Sequence, residues 1–326
     1  MTLAGEPESF HHGMDRAGGT SDQQPAGALA ASSKVEVLDQ LRRARLELEF
    51  AAEGRVSLAP AVRALRRTEK WLARLPRIAI LGEFNSGKSS LANFLTGIES
   101  LPTAVVSNTC IPTLLYFANE PSVAAIYEEG RRQLLSVEAP IRRRALQRLE
   151  VGMPSWRLRK FQILDLPGLA DPNFQEAPVD LAQHGPDAVI WCTVATQAWK
   201  ESERTAWLSL PDYLRENGVL VVTFGDLLDD PSDKRRVLGR LARDAGPLFR
   251  EIVMVSASTG LASLRDAGMA DTTSKESGGE KLGAALDRLV TRTDERRVTA
   301  ALAVAGRIAS RTLDRLDDGQ LAVSHP

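Results

Sequence analysis

Eight consecutive residues have the types and spacing of a loop that binds phosphate groups. They run from Gly82 to Ser89 and read Gly-Glu-Phe-Asn-Ser-Gly-Lys-Ser. In this pattern the glycines let the backbone curve around a polyphosphate, while N–H groups and the following helix N-terminus face the anion. Lysine then contacts the outer phosphates, and the last serine holds Mg²⁺. The residues expected to bind nucleotide here are Gly82, Asn85, Ser86, Gly87, Lys88, Ser89 and Ser90.

A second segment has the residues of a magnesium and γ-phosphate contact. Asp165-Leu166-Pro167-Gly168 follows an apolar strand and matches the pattern Asp-x-x-Gly. In nucleotide hydrolases this aspartate contacts Mg²⁺ and the glycine N–H contacts the γ-phosphate. The pattern is common by chance, so its value depends on the strand before it and on the phosphate loop upstream.

A turn-rich segment between these two motifs carries the candidate for a switch threonine. Thr109 is placed to close onto Mg²⁺ when nucleotide binds. Thr103, Ser107 and Thr113 are alternatives for the same position. A further alternative is that these residues are polar only because they lie in a loop, and that none of them contacts Mg²⁺.

Two later segments are placed to recognise a base. Thr223-Phe224-Gly225-Asp226 follows a strand where GTPases carry Asn/Thr-Lys-x-Asp, so Asp226 is expected to bind guanine. Ser256 and Ala257 follow the last strand, where GTPases carry Ser-Ala-Lys. We therefore expect GTP to be preferred over ATP.

The elements that must hold these residues follow from the apolar pattern. Short apolar runs alternate with helical segments, which is typical of a doubly wound, mainly parallel α/β sheet of the P-loop type. Such a sheet binds its ligand at the carboxyl ends of its strands. The second and third runs are separated only by a short connection, which predicts an antiparallel pair at an edge. The runs are 77–81, 113–117, 123–127, 161–164, 188–194, 219–222 and 252–255.

Helical patterns flank this sheet on both sides. A capping box at Ser33 to Glu36 predicts a helix start, and a second helical pattern leads towards the first strand. Near the other end, residues 280–317 carry a long amphipathic pattern. We expect these helices to form a small bundle beside the sheet, although a bundle between two chains would satisfy the same pattern.

Composition restricts the class of protein. The chain has 326 residues, a formal net charge of −1 and two cysteines. This charge gives no overall attraction to nucleic acid, and the cysteines are too few for a disulfide framework and fit a reducing compartment. No apolar run approaches the roughly 20 residues of a membrane span. We expect a cytoplasmic protein without a nucleic-acid partner.

Taken together, the motifs resemble the dynamin superfamily of large GTPases, and bacterial dynamin-like proteins in particular. The resemblance covers about residues 77–260 and rests on the phosphate loop, on Leu101-Pro102-Thr103, on Thr109-x-x-Pro112 and on the Asp-x-x-Gly segment. It implies a GTPase that converts GTP to GDP and phosphate with Mg²⁺ and that pairs with a second copy across the active sites. It also implies that Thr109 positions the attacking water and that Gly168 senses the γ-phosphate.

The sequence departs from that family in three respects. Phe84 stands where animal dynamins carry a glutamine used in catalysis, so hydrolysis is expected to be slow. Phe224 replaces the lysine of the base-reading motif, and its ring could substitute by stacking. The residues after Gly260 are too few for a long stalk with a membrane-binding tip.

Three functions are compatible with these observations. The first is a dynamin-like GTPase that pairs on nucleotide binding. The second is a nucleotide-gated module that binds a protein and hydrolyses little, and the third is a small GTPase of the ribosome-assembly type. The helical bundle is the expected contact for a protein partner or for the inner face of the membrane. The predicted divisions are a disordered tail at 1–32, helices at 33–76, the GTPase domain at 77–262, a loop at 263–279, the C-terminal helix at 280–317 and a tail at 318–326.

Overall fold

A computed structural model describes residues 26–51, 58–97, 111–135, 146–166, 181–257 and 277–317. Within these ranges the chain forms one nine-stranded sheet with helices on both faces. The predicted α/β class is therefore confirmed. The described helices are α1 Ala26–Ala51, α2 Ala59–Ala73, α3 Lys88–Thr96, α4 Leu181–His184, α5 Glu201–Leu208, α6 Asp212–Arg215, α7 Pro231–Asp244 and α8 Gly279–Asp317.

The sheet is parallel where it carries the motifs. Its order is β4-β3-β5-β2-β6-β1-β7-β8-β9. Every pairing from β6 through β1, β7 and β8 to β9 is parallel, so the carboxyl ends of these strands meet at one edge. The strands are β1 Arg77–Gly82, β2 Thr113–Phe117, β3 Ser122–Tyr127, β4 Arg132–Leu135, β5 Leu146–Met153, β6 Gln162–Asp165, β7 Ala188–Val194, β8 Gly218–Thr223 and β9 Glu251–Met254.

Alternation along the strands divides the core between the two faces. In β1, Ile78 and Ile80 pack with α3 and the first half of α8, while Ala79 and Leu81 pack with α5, α6 and α7 on the other face. A strand that is buried on both faces reads as a continuous apolar run, which is why the sequence pattern locates β1 and β7 well.

The helices from the two chain ends pack beside the sheet. α1, α2 and the later part of α8 share a small apolar core, while the first part of α8 covers the sheet, so one helix spans both regions. None of the described helices is long and apolar enough to cross a membrane. The buried side chains of the small core are Val37, Leu41, Leu65, Leu72, Val298 and Ala301.

The first helix begins earlier than predicted. α1 starts at Ala26, so residues 26–32 of the predicted disordered tail are helical. This stretch is rich in alanine, the residue with the highest helix propensity. The helix therefore extends on the N-terminal side of the capping box at Ser33. Residues 1–25 and 318–326, and most of the predicted loop at 263–279, lie outside the described residues.

The predicted antiparallel edge pair is also wrong in one respect. β2 and β3 are not neighbours, because β5 lies between them, parallel to β2 and antiparallel to β3. The apolar runs of the sequence do not include β5, because its apolar residues Leu149, Val151 and Met153 alternate with Arg148, Glu150 and Gly152. The side chains of Arg148 and Glu150 pair with each other at 2.7 Å, which allows two charged residues to lie within a strand.

Candidate functional site

The phosphate loop joins β1 to α3 in a conformation that requires glycine. Gly82 ends β1 with a φ of 146°, and a Cβ at this position would lie 2.4 Å from the carbonyl oxygen of Cys192. Gly87 precedes α3 with a φ of 80°, and a Cβ there would lie 3.1 Å from the ring of Phe224. A side chain at either position would clash or impose backbone strain. The two glycines of the motif therefore let the loop turn tightly between neighbouring elements.

Polar groups converge on the inside of this loop. The Nζ of Lys88 donates to the backbone carbonyls of Glu83 at 2.7 Å and Gly82 at 3.3 Å. Ser86 is 1% exposed, and its hydroxyl has no hydrogen-bond partner among the described residues. An unsatisfied buried hydroxyl carries a desolvation cost, so the environment of this one fits a polar group. The loop is therefore arranged as a receptor for an anion.

A carboxylate lies beside the start of α3. Asp165 ends β6 and pairs in register with Ile80 of β1, which brings it next to the phosphate loop. Ser89 hydrogen-bonds to its carboxyl group. Burial raises the pKa of Asp165 to about 6, while the charge of Lys88 and the Ser89 hydrogen bond oppose the rise. A hydroxyl and a desolvated carboxyl side by side are oxygen donors of the kind Mg²⁺ prefers, so these residues fit that ion.

The phosphate loop contacts the ends of strands β7 and β8. The hydroxyl of Thr223, at the end of β8, lies 2.8 Å from the carbonyl oxygen of Ser86 and 3.1 Å from that of Thr193 in β7. All three residues are buried. This contact ties the phosphate loop to the edge where β7 and β8 end.

The candidate base-reading residues lie at the same edge. Phe224 adopts a left-handed φ of 54°, and the N–H of Gly225 donates to the carbonyl of Val255 at 3.0 Å. Asp226 follows in a short turn and is exposed. Ser256 is buried directly after β9, and its N–H donates to the carbonyl of Ser277 at 2.9 Å. The segments after β8 and β9 are thus fixed against each other next to the phosphate loop.

Comparison with known proteins adds the family. A profile of the dynamin family matches residues 78–224, which include the phosphate loop, Asp165 and Phe224. This chain carries a dynamin-family domain. It is similar to Dynamin-like protein 2 of Campylobacter jejuni, with 34% identity over 161 residues. That match covers 46% of this chain and 26% of the relative.

Two further proteins are similar to this chain, one in sequence and one in fold. An uncharacterised protein of Caldicellulosiruptor is 31% identical over 103 residues, covering 28% of this chain and 26% of that protein. A solved bacterial dynamin, described as an oligomerised pair that senses and tethers membranes at long range, superposes with a TM-score of 0.52 and 20% identity. The superposition covers 86% of this chain and 43% of the bacterial dynamin chain. This chain therefore spans less than half the length of these relatives.

Two predicted site residues of the dynamin-family domain lie outside the described residues. These are Thr109 and Gly168, together with the alternatives Thr103 and Ser107. The remaining alternative is described: Thr113 begins β2, is 3% exposed and donates its hydroxyl to the carbonyl of Ile111 at 3.1 Å. Its hydroxyl is thus engaged with the backbone.

Sequence reasoning missed a group of contacts on the other side of the loop. The carboxylate of Glu83, in the phosphate loop, accepts a hydrogen bond from the Ser202 hydroxyl at 2.5 Å and lies 3.2 Å from the Nζ of Lys200. Glu203, in α5, is 2% exposed and accepts from the hydroxyl of Thr193 at 2.9 Å. The only signal in the sequence is the spacing of Lys200 and Glu203, which is that of a helix N-cap and its third residue.

Proposed function

We propose that this protein binds GTP with Mg²⁺ and hydrolyses it to GDP and inorganic phosphate. The observation that carries the proposal is the convergence of the Lys88 ammonium, the Ser89 hydroxyl and the Asp165 carboxyl group where β1 and β6 end. The dynamin-family domain supports the same conclusion, because members of that family are GTPases.

The phosphates are expected to lie inside the loop between Gly82 and Ser90. There, Lys88 would exchange its two carbonyl contacts for phosphate oxygens, and the backbone N–H groups of Asn85 to Lys88 would face the same anion. Ser89, Asp165 and Thr109 would hold Mg²⁺. Mg²⁺ held there would supply positive charge that offsets the negative charge of the phosphates.

Hydrolysis in this proposal depends on positioning. Thr109 is assigned to orient the attacking water and Gly168 to contact the γ-phosphate through its N–H, both on the resemblance to the dynamin superfamily. Phosphoryl transfer needs aligned oxygens and neutralised charge more than a strong base, so the proposal assigns no catalytic base. Phe84 stands in the loop 47% exposed and offers no hydrogen bond to a water, which supports slow turnover.

Base selection is assigned to the residues after β8 and β9. The Asp226 carboxylate would accept two hydrogen bonds from guanine, each worth about 1.5–3 kcal/mol for a charged acceptor. Ser256 and Ala257 would offer backbone groups to the same base. The ring of Phe224, which lies against Gly87, would stack on the base.

We also propose that two copies pair through their GTPase domains when nucleotide binds. The similar bacterial dynamin described as an oligomerised pair supports this arrangement. The helical bundle formed by α1, α2 and α8 is then the part available to a protein partner or to the inner face of the membrane, in the cytoplasm.

The test is GTP turnover per chain measured across a range of protein concentrations with Mg²⁺, with ATP in parallel and Lys88→Ala as the inactive control. Specific activity that rises with concentration supports a GTPase activated by pairing. Binding of GTP with flat, negligible turnover would favour a nucleotide-gated binding module instead. Preferential hydrolysis of ATP would contradict the assignment of Asp226.

A further inference from the structure

The phosphate loop contains a carboxylate, and this poses an electrostatic difficulty. Glu83 follows Gly82 directly, within a loop whose interior is arranged to receive an anion. A carboxylate beside a bound polyphosphate repels it, because like charges at short range raise the free energy of the bound state. Such a residue would weaken nucleotide binding unless its charge were balanced.

A cation and a hydroxyl from the start of α5 stabilise that charge. The Ser202 hydroxyl donates to Glu83 Oε1 at 2.5 Å, and Lys200 Nζ lies 3.2 Å from Glu83 Oε2. The Ser202 hydrogen bond, and then the Lys200 contact, lower the pKa of Glu83 despite partial burial. The carboxylate is therefore kept ionised, and it lies against the start of α5.

The same residue also contacts the lysine of the motif. The backbone carbonyl of Glu83 accepts the Lys88 ammonium at 2.7 Å, while the Glu83 carboxylate contacts Lys200. The Glu83 carbonyl is thus one of the contacts that place the Lys88 ammonium inside the loop before nucleotide binds. A shift of the Glu83 backbone would move a group that the phosphates must meet.

The backbone that carries Lys200 is held in place by several contacts. The N–H of Lys200 donates to the buried Glu203 at 2.9 Å, and the N–H of Trp199 donates to the Thr193 hydroxyl at 2.9 Å. The guanidinium of Arg240 donates a hydrogen bond to the carbonyl oxygen of Ala198 at 2.6 Å. An isolated surface ion pair contributes little because both side chains must be ordered. Here the backbone around Lys200 is already fixed against β7 and α7, so only the two side chains of the pair have to be ordered.

We propose that Lys200 is a positioning residue for nucleotide binding. It neutralises the Glu83 carboxylate and, with Ser202, holds it against α5, so that the phosphate loop accepts a polyphosphate. Lys200 acts through Glu83 and does not touch the nucleotide. This inference rests on the proposed function, since it concerns the same phosphate site.

The experiment is a double-mutant cycle read by the binding of a fluorescent GDP with Mg²⁺, which requires no hydrolysis. Lys200→Gln should weaken binding about tenfold, which corresponds to about 1.4 kcal/mol. In the background of Glu83→Gln, where no carboxylate remains to be balanced, the same substitution should change affinity less than about twofold. Lys200→Arg should retain the affinity of the wild type. The matched control is Arg204→Gln, an exposed cation of the same helix that pairs only with Glu201 among the described residues.

Each result of the cycle decides the inference. Unchanged affinity in Lys200→Gln would overturn it. A tenfold loss that persists when Glu83 is already Gln would also overturn it, because Lys200 would then contact the nucleotide directly. Equal losses in Lys200→Gln and Arg204→Gln would reduce the effect to general surface charge and refute the specific role. A wild-type protein that binds no GDP would refute the proposed function itself, and this inference with it.

Discussion

Arg297 of α8 faces Asp187 at the start of β7, with Arg297 Nε 3.7 Å from Asp187 Oδ1. Both side chains are buried, at 3% and 5% exposed. Asp187 also accepts the backbone N–H of Arg77 at 2.8 Å and pairs with Arg74 at 2.6 Å. The long C-terminal helix and the first strand of the nucleotide-binding sheet are therefore joined at one buried carboxylate.

Replacing Arg297 should destabilise the protein markedly. Removing one partner of a buried ion pair typically lowers the free energy of unfolding by about 3–5 kcal/mol. Because Asp187 keeps its pair with Arg74, we expect the loss in Arg297→Ala to lie near the lower value. Urea denaturation measures this loss. Arg296→Ala is the control, because Arg296 makes an exposed pair with Glu216 and should cost less than about 1 kcal/mol. Equal losses for the two variants would show that the buried contacts of Arg297, with Asp187 and with the carbonyls of Arg74 and Trp71, stabilise the protein no more than an exposed pair.

Replacing Asp226 should change which nucleotide is bound. Asp226→Asn loses the charged acceptor for guanine, so the preference for GTP over ATP should fall by about 10- to 100-fold, as expected for one charge-assisted hydrogen bond. Competition of unlabelled GTP and ATP against a fluorescent nucleotide measures the ratio. Asp229→Asn, which alters an exposed carboxylate just downstream, is the control. If the preference survives in Asp226→Asn, another group recognises the base.

The stability of the protein should depend on the protonation of Glu203. Burial raises the pKa of this carboxyl group, although hydrogen bonds from the Lys200 N–H, the Thr193 hydroxyl and the Trp191 indole partly oppose the rise. Between the ordinary glutamate pKa of about 4.3 and the raised value, the folded protein holds a proton that the unfolded chain has lost. Stability due to this group is therefore fully present below the ordinary pKa and falls as pH rises through the raised one.

Glu203→Gln removes that titration while keeping an acceptor oxygen for the Thr193 hydroxyl or the Lys200 N–H. The free energy of unfolding, measured by urea from about pH 4 to pH 7, should decline less steeply with pH in the variant than in the wild type. Parallel curves for the two proteins would assign the pH dependence to other groups.

Two glycines should respond in opposite ways to the same substitution. Gly82→Ala places a Cβ 2.4 Å from a backbone oxygen at a φ of 146°, so both stability and nucleotide affinity should fall. Gly239→Ala lies within α7, where a Cβ meets open space, and should stabilise the protein by about 0.5–1 kcal/mol through helix propensity. Thermal unfolding compares the two variants. A stabilised Gly82→Ala would contradict the tight turn described for the phosphate loop.

The sequence alone determined the class of fold and the position of the motif residues along the chain. Glycine spacing and a short apolar run locate the phosphate loop between β1 and α3, and the strand before Asp165 locates that carboxyl group at the end of β6. These features can be predicted from the sequence because they depend on local backbone geometry and on the alternation of buried and exposed residues. They also carried the resemblance to the dynamin superfamily, which the family comparison confirms.

Only the tertiary structure decided which distant residues meet. Glu83 and Lys200 are 117 residues apart, and nothing local to either predicts their contact. The insertion of β5 between β2 and β3 likewise depends on how the whole sheet pairs, since the alternation of residues within a strand does not specify which strands lie beside it. Local patterns set elements and motifs, whereas contacts between distant segments follow from the packing of all elements together.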